Sequence, residues 1–143
     1  MKPFGGGRTI EQRVLAASLR SLMPDNLQAS IINTASIEAF LPKPSLLPYS
    51  ATKGAIVTFT KSLAGLLAKQ GIRVNAVAPG PVWTPLIPSS LGEAEVTGFS
   101  TSTPLGRPAQ PAELAPIYVL LGSDEASFIC GGIHEVTGGR PLT

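Results

Sequence analysis

Between residues 10 and 23, Val14, Leu15, Leu19 and Leu22 recur at helical spacing until Pro24, Asp25 and Asn26 interrupt them, which predicts an amphipathic helix. The period then changes. Ser30 to Ala35 is short and, in its first half, β-branched and apolar, so it is expected to be a buried strand running into the hydroxyl of Ser36. A proline-rich loop follows from Leu41 to Pro48. From Tyr49 to Gln70, Ile56, Phe59, Leu63, Leu66 and Leu67 keep a 3.6-residue period, while the small Ala51, Gly54 and Ala55 leave room for close approach of other backbone. Gly71 stands where a helix ends in a left-handed residue. Ile72 to Ala78 again reads as a strand and stops at Pro79, Gly80 and Pro81. Beyond it, 81 to 103 is expected to be a long loop with one helix near Gly92 to Phe99, the kind of segment that caps a pocket. Pro111 to Leu121 has proline at a helix start and Leu114, Ile117, Tyr118 and Leu121 at helical spacing. Ile133 to Val136 is a short closing strand before Gly138 and Gly139.

Strand, long helix and strand within about fifty residues form a βαβ unit, which almost always means parallel strands joined by a right-handed crossover. The fold class is therefore α/β. The topology places chemistry before any motif is considered. Ser36 follows the first strand, Pro79 and Gly80 follow the second, and Tyr49 begins the connecting helix. All fall on the carboxyl edge of the sheet, where ligands bind in open α/β folds.

Tyr49 and Lys53 are four residues apart on that helix and lie one above the other on a single face. A phenol ordinarily titrates near ~10, which makes it a poor proton donor at neutral pH; a neighbouring ammonium favours its phenolate. Pro48, just ahead of Tyr49, suits a helix start, and the positive end of the helix dipole acts in the same direction. The pair is a candidate proton relay.

Composition narrows the functional classes. The 143 residues are 43% hydrophobic and 14% charged, enough for one domain with a real core rather than a disordered chain. Eleven basic and nine acidic residues are scattered without a stripe and lack interleaved aromatics, so no nucleic-acid surface is expected. A single cysteine, Cys130, excludes an internal disulfide and any multi-cysteine metal site and fits a reducing compartment. The first seven residues lack the apolar stretch of a signal peptide, and no run approaches the ~18 apolar residues of a membrane span, so a cytoplasmic protein without membrane partners is expected.

Several residues invite other chemistries. Ser50 and Lys53 match the Ser-x-x-Lys nucleophile pattern of penicillin-binding enzymes, but no Ser-Asp-Asn or Lys-Thr-Gly accompanies them. His134 is the sole histidine, sits in an expected strand and has no second ligand at metal spacing, so a structural role is expected and no metal site. Trp83 is placed either on the wall of a substrate pocket or in the core. Arg107 and Glu113 flank a helix start and are expected to serve capping and surface pairing.

Ser36, then Tyr49-x-x-x-Lys53, then Asn75-Ala-Val-Ala-Pro79-Gly80-Pro-Val-Trp-Thr84, in that order and spacing, resembles the C-terminal half of the short-chain dehydrogenase/reductase family. The match runs from about Ser30 to Gly139 and is closest to the general-stress and sugar- or alcohol-dehydrogenase-like branch. The resemblance implies a partial Rossmann-like, doubly wound parallel sheet, comprising the βαβ unit, C-terminal helices and a strand, with the N-terminal half of the fold missing. Residues 1–29 would be a divergent N-terminal segment with one helix, and 30–143 the C-terminal half. The implied function is NAD(P)-dependent interconversion of an alcohol and a carbonyl. Tyr49 would be the acid/base, Lys53 would assist it and hydrogen-bond the nicotinamide ribose, and Ser36 would orient and polarise the carbonyl. Pro79, Gly80 and Val82 would shape the nicotinamide shelf, with Thr84 near the carboxamide.

The same resemblance marks what departs from the family. A glycine-rich turn at a helix N-terminus should hold the pyrophosphate, but Gly5, Gly6 and Gly7 have too few residues before them for the strand such a turn follows. The family's catalytic asparagine would lie in the helix before Ser36. Asn26 falls in the turn and Asn33 in the strand, neither in that place. The adenosine half of an NAD or NADP site is thus expected to be absent. Activity impaired by truncation follows as one expectation, and a non-catalytic oligomerisation or interaction module as the alternative. Partners expected by resemblance are a small alcohol or carbonyl substrate and further copies of the chain in a homo-oligomer.

Overall fold

The structure is a computed structural model that describes residues 29–90 and 103–141, with positions 18, 21, 92, 96 and 99. The helix expected at 10–23 and Asn26 therefore lie outside the described residues, apart from positions 18 and 21.

Three parallel strands, β1 (Ser30–Thr34), β2 (Arg73–Pro79) and β3 (Ile133–Val136), form one sheet in the order β1-β2-β3. Ser30 pairs with Arg73, and Ala76 with Ile133. Helix α1 (Leu47–Leu67) connects β1 to β2, and the short α2 (Leu86–Ser90) and longer α3 (Pro111–Gly122) lie between β2 and β3. The expected βαβ unit is present, and the closing strand has the expected limits.

The two-residue period of the strands explains why helices cover both faces. Ile31 packs beside Leu63 and Leu67 of α1, and Asn33 Nδ2 donates to Thr60 Oγ1 on the same helix at 2.9 Å. Their neighbours point the other way. Ser30 Oγ donates to the Leu121 carbonyl of α3 at 2.8 Å, and Thr34 Oγ1 lies 2.8 Å from the Tyr118 hydroxyl. In β2, Val74, Ala76 and Ala78 join the α1 side of the core, whereas Arg73 donates to the carbonyls of Leu121 and Ser123 at 2.8 and 3.0 Å. A doubly wound α/β layer results.

α1 starts two residues earlier than Tyr49 because Pro48 fits its first turn, and a short 3₁₀ turn at Pro44–Leu46 leads into it. After Leu67 the chain tightens through Ala68–Gln70 to Gly71, whose φ of 74° is the expected left-handed stop. The buried stripe differs from the one expected. Val57, Thr60, Leu63, Ala64 and Leu67 form it, while Phe59 is 48% exposed. Thr60 can be buried because its hydroxyl donates to the Ile56 carbonyl and accepts from Asn33. Within 81–103 an additional short helix, Leu86–Ser90, precedes the one expected near Gly92 to Phe99; of that stretch only 92, 96 and 99 are described, and there the Val96 N–H donates to the Gly92 carbonyl at 2.9 Å with position 96 helical.

The start of α3 bears out the expected pairing. Arg107 Nη1 and Nη2 donate to the two Glu113 carboxylate oxygens at 2.7 Å each, and the Gln110 backbone N–H donates to Glu113 Oε2 at 2.7 Å. The Arg107 hydrogen bonds, followed by the Gln110 bond, hold the Glu113 carboxyl down from 4.5 to about 2. A carboxyl depressed in the folded state contributes stability above its unfolded value and loses it as pH falls through the folded one. Denaturation midpoints of the wild type and Glu113→Gln are therefore expected to converge as pH drops from about 4.5 to about 2. Parallel pH profiles would show that the pair contributes nothing, as many exposed pairs do.

Candidate active site

The carboxyl ends of β1 and β2 open into a cavity of about 860 Å³ whose other walls come from α1, α2 and α3. Ser36, Tyr49, Lys53, Pro79, Gly80, Val82 and Thr84 all line it. Ser50, beside Tyr49 on α1, is buried and does not. Asn33 is also outside the lining, turned instead towards Thr60.

Ser36 is positioned by the end of β1. The Ala35 N–H still donates to the Val77 carbonyl at 2.7 Å, and the chain then turns into a 3₁₀ segment, Ile37–Ala39, that Ser36 caps. Its Oγ accepts from the Glu38 N–H at 3.2 Å, and the residue is only 7% exposed. A hydroxyl that accepts from backbone still has its own proton to donate.

Lys53 reaches back across the βα junction, where Nζ donates to the Thr34 carbonyl at 2.9 Å. It also lies 5.5 Å from the centroid of the Tyr49 ring, which gives a cation–π contact. Tyr49, in the first turn of α1, is 44% exposed, and its hydroxyl has no hydrogen-bond partner among the described residues. Tyrosine and ammonium therefore share the helix face that the four-residue spacing dictates.

The floor of the cavity follows β2. Gly80 donates to the Val136 carbonyl at 2.8 Å, and a Cβ at this position would come within 3.0 Å of Thr137 Cα. Close approach of the loop after β3 explains the glycine. Val82 then forms a parallel bridge with Ala109, in which Trp83 N–H donates to Ala109 and Ala109 N–H to Pro81. That pattern leaves the Val82 N–H and carbonyl on the side away from Ala109. Trp83 does not line the cavity; its ring packs 6.1 Å from that of Phe99, which does. Trp83 thus stands one layer outside the cavity and 36% exposed, neither in the wall nor in the core, the two places expected for it.

A family model described as enoyl-(acyl carrier protein) reductase matches residues 12–140. The chain is also 56% identical over 110 residues to a glucose and ribitol dehydrogenase homolog of Oryza sativa subsp. japonica, covering 77% of this chain. It is 53% identical over 115 residues to general stress protein 39 of Bacillus subtilis, covering 80%. The chain belongs to the short-chain dehydrogenase/reductase family. It spans 37% and 40% of the length of those two relatives. A short chain dehydrogenase family protein from Francisella tularensis superposes with a TM-score of 0.71 at 39% identity, covering 78% of this chain and 50% of that one. The three-stranded layer is thus part of a Rossmann-like short-chain dehydrogenase/reductase sheet, and the chain is similar to named oxidoreductases.

Short-chain dehydrogenase/reductase motifs pointed to the residues above, but the cavity also contains Thr34, Glu38 and Tyr118. Tyr118 was visible only as an apolar helical position; its hydroxyl meets Thr34 across 84 positions of sequence. Glu38 carries a local signal, an acid inside the otherwise apolar run Ile37-Glu38-Ala39-Phe40. Among the described residues no group of three His, Cys, Asp or Glu could hold a metal, and no helix is long and apolar enough to cross a membrane.

Proposed function

We propose that residues 30–143 form the C-terminal half of an NAD(P)-dependent oxidoreductase that interconverts an alcohol and a carbonyl, with Tyr49 as acid/base. The observation that carries this reading is the convergence of Ser36, Tyr49 and Lys53 on one cavity at the carboxyl edge of the sheet. Ser36 donates to the substrate oxygen, Tyr49 gives that oxygen its proton in reduction and takes it in oxidation, and Lys53 holds its ammonium against the phenol ring. A bound nicotinamide supplies or accepts the hydride. The residues present fit such a ring: the free Val82 backbone groups suit its carboxamide, Pro79 and Gly80 form a shelf, Thr84 stands nearby, and Lys53 suits the ribose hydroxyls.

Exposed Phe59, together with the open space over Gly54 on α1, supports a homo-oligomer. An exposed free Cys130 is compatible with a reducing compartment, in our reading the cytoplasm. Isothermal titration of folded protein with NADH and NADPH tests the cofactor reading, with binding at about micromolar strength expected for at least one of them. Absence of binding by both would overturn it and favour an interaction module.

A further inference from the structure

We infer that Tyr118 is a positioning residue for Lys53: its hydroxyl clamps Thr34, and Thr34 presents the backbone carbonyl that anchors the Lys53 ammonium beside the Tyr49 ring. The catalytic consequence rests on the alcohol–carbonyl reading and adds a residue to it.

β1 is the outermost described strand and pairs on one side only, with β2. The end of such a strand opens more readily than its middle. Thr34 is its last residue, and it is exposed. On the inner side the chain is held, because the next N–H, that of Ala35, donates to the Val77 carbonyl at 2.7 Å. On the outer side the Thr34 carbonyl accepts from Lys53 Nζ at 2.9 Å, the one hydrogen bond that this ammonium makes among the described residues. A lysine stem has many rotamers, and the acceptor its ammonium finds selects among them. Whatever loosens Thr34 therefore loosens Lys53 as well.

α3 supplies the opposing hold. Ser30 and Thr34, the two ends of β1, each bond to this helix: Ser30 Oγ donates to the Leu121 carbonyl, and Thr34 Oγ1 pairs with the Tyr118 hydroxyl, both at 2.8 Å. The helix thus straps the strand at both ends. Only one strap belongs to the site, because Thr34, Tyr118, Lys53 and Tyr49 line the cavity, whereas Ser30 and Leu121 do not. The other side chains that α3 brings to this lining, among them Leu114, Ala115 and Val119, are apolar, so none of them replaces the phenol. With Thr34 fixed from α3, Lys53 Nζ keeps its place 5.5 Å from the centroid of the Tyr49 ring.

The rival account is that the Tyr118 bond only adds to the stability of the strand. Solvent exchange of the Lys53 ammonium, followed by NMR on the full chain, separates the two, with Ser30→Ala as the variant that removes the other strap. Tyr118→Phe is expected to speed this exchange about 3- to 10-fold, the change that loss of one ordinary hydrogen bond brings, and to lower kcat for a panel of alcohols and aldehydes with KM unchanged. Thr34→Val, which keeps the carbonyl and removes the hydroxyl, should speed the exchange equally, and combining it with Tyr118→Phe should add little. Thr34→Ser, which keeps the hydroxyl, should hold the exchange near the wild-type rate. Ser30→Ala should lower the urea midpoint and leave the Lys53 exchange unmoved. Unchanged exchange in Tyr118→Phe, or an equal acceleration in Ser30→Ala, would overturn the inference. Because the ammonium is read without turnover, the two proposals fail separately. If Tyr118→Phe frees Lys53 in a chain whose wild type turns over no member of the panel, the catalytic reading fails alone; if the wild type turns over and Tyr118→Phe leaves Lys53 unmoved, only the role of Tyr118 fails.

Discussion

Tyr49→Phe is expected to lower turnover of an alcohol or carbonyl substrate by about 10²- to 10⁴-fold, the usual contribution of a positioned acid/base, with the loss in kcat rather than KM. The substitution removes one oxygen that has no hydrogen-bond partner among the described residues and sits on a side chain 44% exposed. Stability should therefore stay within about 0.5 kcal/mol of the wild type, so lost activity cannot be attributed to unfolding. The phenylalanine ring would still meet Lys53, whose Nζ is anchored independently by the Thr34 carbonyl at 2.9 Å. Lys53→Met should also reduce turnover, and if the two groups act as a unit, the double variant should be little worse than the poorer single one. Full turnover in Tyr49→Phe would remove the phenol from the mechanism.

Where local physics decides, the sequence was a good guide to this structure. Gly71 ends the long helix because the left-handed turn there suits glycine, and the four-residue interval from Tyr49 to Lys53 puts both on one face whatever surrounds them. Ser36 could be placed because a parallel βαβ unit brings its strand end to the same edge as Pro79. Where partners from distant sequence decide, the reading failed. Phe59 fits a helical period, but which side of the period is buried depends on the sheet beneath α1, and that sheet takes Thr60 because Asn33 is there to bond it. Trp83 falls in neither of its expected places for the same reason, since its contact with Phe99 depends on how the loop returns. The Leu86–Ser90 helix contains Pro88 and two serines, which locally signal a loop. Glu38 and Tyr118 reach the cavity through tertiary placement that local sequence does not encode, Tyr118 where its hydroxyl meets Thr34 and Glu38 where its carboxylate meets Lys43.

Asn75→Ala is expected to destabilise the fold by about 2–4 kcal/mol, a large share of the ~5–15 kcal/mol that holds a domain together. Asn75 is fully buried in the central strand, where Nδ2 donates to the Ile129 carbonyl at 2.7 Å and Oδ1 accepts from the Gly132 N–H at 3.0 Å. Alanine would leave both backbone groups without these partners and open a cavity in the middle of the sheet. The effect should extend to the site. Asn75 fastens the segment that leads into β3, and the residue just past β3, Thr137, is the one that closes on Gly80 in the cavity floor. A urea midpoint measured with Asn75→Ala should fall accordingly, and Asn75→Asp should fall at least as far, because a carboxylate would face the Ile129 carbonyl with no proton to offer it. A variant within about 0.5 kcal/mol of the wild type would mean that strand pairing alone seats β3, and that the side-chain bridge to the segment before it adds nothing.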